Sequence, residues 1–349
     1  MKKLITTICI LLSSIILLNA LDVVDGRMKI SVNEDNGRFS VFYLEDVNEN
    51  KYLSLLYKED PRTSHMSVNF NNRVYILGES FEFTKEISRI EKGLRIKWSS
   101  TLLEVTQDLY FISSAGASLA DGIHMKVRLK NLSETDAVIG LRFLFDTYLG
   151  ERSNSHFYLS SGRKITGETS LKTELPEYIL SPTDESAKAG LQIMISSPGV
   201  TTPNEVILAN WKRLNDSSWN YSVNTQRTFS SPPYSINDSA ALFLYNPRII
   251  PSGQSDEISL AFGYFTNTAF SPDFSSRDEE ISELVATVKN PTPDNTVTNI
   301  KKDLLSIRDL VNQIDIIIQS GEEITDEKLY LLEQVIRKLE QRKLQYSED

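Results

Sequence analysis

The chain has 349 residues, with 37 Lys and Arg against 47 Asp and Glu, a formal charge of −10 and a single Cys. Hydrophobic residues make up 40% and aromatics 9%, enough apolar mass for a sizeable core. The negative balance excludes nucleic acid or anionic lipid as the main partner, because those need a basic surface that releases counterions.

Residues 1–20 read as a secretory signal peptide. Lys2 and Lys3 form a positive start, Leu4 to Leu18 is apolar apart from Thr and Ser, and Asn19-Ala20 precedes Leu21, so cleavage after Ala20 is expected. The apolar stretch is shorter than the roughly 20 residues a membrane-spanning helix needs. Cys9 lies within it, so the exported chain would fold without thiols, disulfides or thiolate-bound zinc. The expected location is periplasmic or extracellular.

From Met28 to Phe265, short runs of alternating apolar and polar residues recur between turn signals, the pattern of strands with one dry and one wet face. Met28 to Asn33 and Phe39 to Leu44 flank Asp35-Asn36-Gly37, a hairpin signal because Asn and Gly tolerate positive φ. Val68 to Phe70 and Val74 to Leu77 flank Asn71-Asn72, and Lys92-Gly93 separates Glu86 to Ile90 from Leu94 to Trp98. Leu103 to Ile112, His124 to Leu129, Val138 to Phe145 and Leu191 to Ser196 follow, then the pair Ala241 to Tyr245 and Glu257 to Phe265. Ile139 to Phe145 is apolar on nearly both faces and is expected to be central. About a dozen strands with no helical period between them predict a mostly β fold: a large antiparallel β-sandwich, supersandwich-like, over residues 21–272.

The tail changes period. Residues 273–297 read as a linker, with a short helix near 278–287 and the run Asn290-Pro291-Thr292-Pro293-Asp294-Asn295, whose prolines deny the backbone two donors. Residues 298–346 are predicted to form a C-terminal α-helical hairpin. Ile300, Leu304, Ile307, Val311, Ile314 and Ile318 recur at heptad spacing, Gly321 suits a helix end, and Thr325 suits the next N-cap. Leu329, Leu332, Ile336 and Leu339 follow on one face of the second helix. Leu310, Ile316 and Ile317 widen the first stripe, so the seam is expected to dock on the sandwich or on another chain, by self-association or with another envelope protein.

No motif names a reaction, and no catalytic residue, metal or cofactor is assigned. His65, His124 and His156 lack paired-ligand spacing and are expected to be packing or surface residues. Ser161-Gly162-Arg163-Lys164 matches a serine–lysine nucleophile pattern without its companion motifs. Asn131, Asn215, Asn220 and Asn237 fit the N-glycosylation sequon, a spacing common by chance in an Asn- and Ser-rich chain. Two clusters are candidates for ligand binding. Asp146 and Glu151 follow the most apolar run, with His156 five residues on; they suit an acid–base pair or a cation site, or Asp146 and Thr147 simply cap the strand end. Trp211, Trp219 and Tyr221, bordered by Asn, Asp and Arg, suit a sugar-stacking platform or packing.

The stretch from Val127 to Glu151, with Phe145-Asp146-Thr147-Tyr148-Leu149-Gly150 at its end, resembles uncharacterised exported bacterial proteins with a galactose-mutarotase-like β-supersandwich. Asp238-Ser239-Ala240 and Tyr245 to Ser255 match that group's later strand pair and turn. The resemblance implies the supersandwich fold. Mutarotase-type enzymes use a His and a Glu at defined strand positions; no such pair is matched here, and Glu151-Arg152-Ser153-Asn154 replaces the group's usual Asn-Asp-Gly. The leading expectation is therefore a non-enzymatic exported envelope protein, a β-sandwich binding or assembly module with a hairpin for protein association, such as a periplasmic filament or sheath accessory. The alternative is a carbohydrate-binding or carbohydrate-active mutarotase-like protein, with a carbohydrate as partner.

Overall fold

The computed structural model describes residues 20–46, 49–57, 63–114, 117, 119–266, 269–273 and 336–337. The signal peptide expected over 1–20 lies outside them apart from Ala20. Of the C-terminal hairpin, only Ile336 and Arg337 are described, and they are helical. The hairpin and its heptad seam therefore have no support in this structure. No helix among the described residues is long and apolar enough to cross a membrane.

Every strand pairing is antiparallel, and the strands form three sheets. The first is a meander of β1 (Ala20–Asp25), β2 (Met28–Asn33), β3 (Phe39–Asp46) and β4 (Lys51–Ser54). The second is built on β5 (His65–Phe70), β6 (Arg73–Ile76), β11 (Ala137–Asp146), β14 (Thr169–Leu171), β17 (Glu205–Asn210) and β18 (Ser239–Ile250), in the order β14-β17-β18-β11-β5-β6. The third and largest contains β7 (Thr84–Ile90), β8 (Gly93–Ser99), β9 (Leu103–Ser114), β10 (Gly122–Asn131) and β12 (Phe157–Leu159). It is completed by β13 (Lys164–Ile165), β15 (Tyr178–Pro182), β16 (Ala189–Met194), β19 (Ser255–Thr266) and β20 (Pro272–Asp273). Its order is β13-β12-β15-β16-β19-β10-β9-β8-β7, with β20 added to β9.

The expected strand pairs are present because their turn residues do what the sequence implies. Gly37 takes φ 69° between β2 and β3, Asn71 and Asn72 take 48° and 68° between β5 and β6, and Lys92 takes 58° between β7 and β8. One continuous core joins the sheets: Phe143, Phe145 and Phe243 from the second face Ile123, Met125 and Phe262 from the third. The rings of Phe145 and Phe262 lie 5.6 Å apart across the sandwich, and Tyr43 of β3 stacks on Tyr264 of β19 at 3.9 Å.

The outer face of the second sheet is covered differently. Leu144, Ile207, Ala209, Ala240 and Leu242 pack under Leu214, which belongs to a helix, α1 (Trp211–Asp216). This helix corrects the expectation of a body without helical elements. It has six residues, fewer than two turns, so no period can show in the sequence. Its start is nonetheless legible: Asn210 is the N-cap, and its side chain accepts the Arg213 N–H at 3.2 Å. At its other end the buried guanidinium of Arg142 donates to the carbonyls of Leu214 and Ser217, satisfying acceptors a helix terminus leaves open.

Candidate functional site

Strand alternation builds the site. In β11, Phe143 and Phe145 face the core, so Leu144 and Asp146 face the helix-covered side. Asp146 is the last residue of β11 and lies opposite Ala240 of β18. Asp238 precedes β18 by one residue and so returns to the side of Ala240 and Asp146. A tight loop supplies the third group. Gly150 accepts the Ser155 N–H at 2.9 Å, and a Cβ on Gly150 would stand 2.0 Å from the Ser155 carbonyl oxygen, so only glycine lets the loop close. Closure carries Glu151 back to the start of β18, where it accepts the Ser239 N–H at 2.9 Å.

Carboxylate oxygens of Asp146, Glu151 and Asp238 thus lie within 4.8 Å of one another. Asp146 is buried, and Glu151 and Asp238 are half-buried. Burial pushes the Glu151 carboxyl up to about 8; the neighbouring charges of Asp146 and Asp238 add to the rise, and the Ser239 bonds oppose it. Burial also raises Asp238, against a bond from Ser235. Glu151 therefore keeps its proton at neutral pH, beside the Asp146 and Asp238 carboxyls. The same oxygens could serve a hard cation such as Ca2+, with backbone carbonyls and water completing the usual 6–8 ligands.

Of the residues singled out in the sequence, Asp146 and Glu151 come together, and His156 and Trp211 stand at the edge of the group. The backbone N–H of Trp211 donates to the Asp238 carbonyl at 3.1 Å, and its indole N–H donates to Thr63 at 2.9 Å. Ser64, next in the chain, accepts the Asp146 N–H at 3.0 Å. His156 packs on Phe229 at 4.4 Å, and the Phe229 carbonyl accepts the Asp238 N–H at 3.1 Å. Burial, with a smaller contribution from Lys164, lowers His156 to about 4, so its ring is neutral; its Nδ1 has no partner among the described residues.

Tyr221 packs, as Trp211 does, against the cluster under α1. Trp219 is buried, and the Tyr221 hydroxyl donates to Glu168 at 2.7 Å, so the three aromatics do not form one open stacking platform. Thr147 caps the strand end, its N–H and hydroxyl both reaching the Ser239 carbonyl, at 3.2 and 3.4 Å. His65 and His124 are buried in β5 and β10. Asn131 is fully buried and donates to the Thr135 and Ile250 carbonyls, which removes it as a glycosylation acceptor. Lys164 stands on β13 and not on the helix that a serine–lysine nucleophile requires. Asp238 is the member of the group that sequence reading did not assign. Its signal was its place, directly before an apolar strand in a segment already matched to the family motif.

No protein-family model matches this sequence, and no curated protein matches it. Solved structures do align. A putative aldose 1-epimerase from Escherichia coli aligns over 70% of this chain and 98% of its own at 11% identity, with a TM-score of 0.41. A galactose mutarotase-like protein from Lactobacillus casei aligns over 70% and 100% at 10% identity, with a TM-score of 0.42. A polysaccharide lyase aligns over 70% of this chain, which spans 33% of the lyase, at 10% identity and a TM-score of 0.42. The three antiparallel sheets are in keeping with the mutarotase-like fold that the sequence resemblance implies. The names of the aligned structures, an epimerase and a lyase among them, stand against the expectation of a non-enzymatic module.

Proposed function

We propose that this chain is a carbohydrate-active protein in which Asp146, Glu151 and Asp238 carry out proton transfer on a saccharide. One observation carries the reading: three carboxyl groups from separate segments converge within 4.8 Å, and Glu151 keeps its proton near neutral pH. A general acid works best when its pKa lies near the operating pH, and a neighbouring carboxylate can take a proton while the acid gives one. Glu151 is the acid in this scheme. Trp211, partly buried, is tied to the site through its backbone N–H, which donates to the Asp238 carbonyl. Inverting glycoside hydrolysis, with carboxyls about 6.5–9.5 Å apart, fits this crowding poorly; transfer between directly neighbouring acids fits it well.

The test is a panel of neutral and acidic saccharides offered to the full chain. Anomer interconversion is followed by polarimetry, cleavage by new reducing ends, and elimination by the absorbance of unsaturated products. At least one saccharide should be turned over, and Glu151→Gln should slow that reaction by about 10²–10⁴-fold, the usual contribution of a general acid or base. Turnover unaffected by Glu151→Gln, or no turnover across the panel, overturns the proposal.

A further inference from the structure

A second feature adjoins the carboxylate group and is used by nothing described so far. An open groove of about 410 Å³ runs between residues 163–169 and 225–228. Arg163, Lys164 and Arg227 line it, all exposed, and none has a carboxylate partner among the described residues. The acid in its wall, Glu168, is buried and already spent: Arg213 lies 2.7 Å from it, and it accepts the Tyr221 hydroxyl and the Asn224 N–H. Tyr221 is also bonded by the Arg227 side chain, so this residue ties the neutralised acid to one of the groove's cations. The groove is therefore a concentration of unbalanced positive charge on a chain of charge −10. Thr166 and Thr228 add hydroxyls to the wall.

The groove's wall continues in sequence to residues that touch the site. The residue after Thr228 is Phe229, whose ring packs on His156 and whose carbonyl holds the Asp238 N–H. Lys164 is close enough to His156 to contribute to its low pKa.

We propose that this groove binds the anionic groups of an acidic saccharide, carboxylate or sulfate, and so presents a neighbouring sugar unit to the Asp146–Glu151–Asp238 group. Arginine matches either anion bidentately, and hydroxyls complete the oxygen shell. The inference rests on the carbohydrate reading above and names the substrate class within it. A cationic subsite also offsets the repulsion that the acidic site would otherwise exert on such a substrate.

Calorimetric titration of the full chain with trigalacturonate, a sulfated heparin disaccharide and neutral maltotriose tests it. At least one anionic probe should bind about tenfold more tightly than maltotriose, with an advantage that salt erodes. Arg163→Gln with Arg227→Gln should remove that advantage while the melting temperature holds, since both side chains are exposed and neither has a carboxylate partner among the described residues. The stronger anionic probe identifies carboxylate or sulfate as the group recognised. Equal binding of maltotriose, or an anionic advantage that survives the double substitution, overturns the inference. Glu151→Gln should keep the anionic binding while losing turnover; retained turnover there would sink the proton-transfer reading and leave the groove standing.

Discussion

Phe145→Ala is expected to destabilise the protein by about 3–5 kcal/mol, the range for emptying a fully buried phenylalanine site. Phe145 is fully buried at the meeting of the two larger sheets. Its ring lies 4.1 Å from Phe143, 5.5 Å from Phe243 and 5.6 Å from Phe262, so the substitution strips contacts from both layers at once. Neighbouring rings fixed in two sheets cannot collapse into the space without moving strands. Asp146 is the next residue, so the variant should also lose turnover before it loses its secondary structure. Urea unfolding of wild type and variant gives the difference; a loss below about 1 kcal/mol would show that these sheets do not share one core.

The second large effect is on the pH dependence of stability. Glu151, raised to about 8 by burial, contributes stability that is complete below its unfolded value of about 4.5 and is lost as pH rises through 8. His124 and His156, both lowered to about 4 by burial, contribute in the opposite sense: their share is complete above about 6.5 and is lost as pH falls toward 4. Above about pH 6.5 both histidines are neutral in either state, so stability should decline there by up to about 1.4 kcal/mol per pH unit until Glu151 has ionised. Asp238 and Asp121, also raised by burial, act in the same direction as Glu151. Glu151→Gln should replace the alkaline decline with a plateau and leave the acid limb in place. Melting temperatures from pH 4 to 9 that rise steadily past pH 7, or that decline alike in both proteins, would contradict this assignment.

Much of the sheet framework could be read from the chain because its signals are local. Asn36-Gly37, Asn71-Asn72 and Lys92-Gly93 fix three hairpins through backbone conformations that few residues adopt. The apolar run before Asp146 marks a central strand because it is buried on both faces, by the core and by α1. The elements that escaped are short or irregular: β12, β13 and β14 have two or three residues each, and α1 has six. No period can register over such lengths.

The site was half visible for a related reason. Asp146 and Glu151 stand close in sequence, and a strand end beside acids is recognisable. Asp238 joins them only through the β11–β18 pairing, a contact between residues nearly a hundred positions apart. Spacing left the aromatic trio open between stacking and packing, because it cannot tell a partly buried ring such as Trp211 from a buried one such as Trp219. Arg163 was noticed only within a nucleophile pattern, and Arg227 not at all, since a groove between two loops has no sequence signature.

The protonation of Glu151 is the claim on which the site stands, and it can be read directly. With side-chain 13C-labelled glutamate and a chelator present, the Glu carboxyl signals of the full chain are followed from pH 4 to 10, using Glu151→Gln to assign the resonance. The account predicts one carboxyl that titrates near pH 8 and disappears in the variant. If Glu151 instead titrates with the other glutamates near the ordinary value of about 4.3, the three acids do not share a proton and the proposed chemistry is wrong.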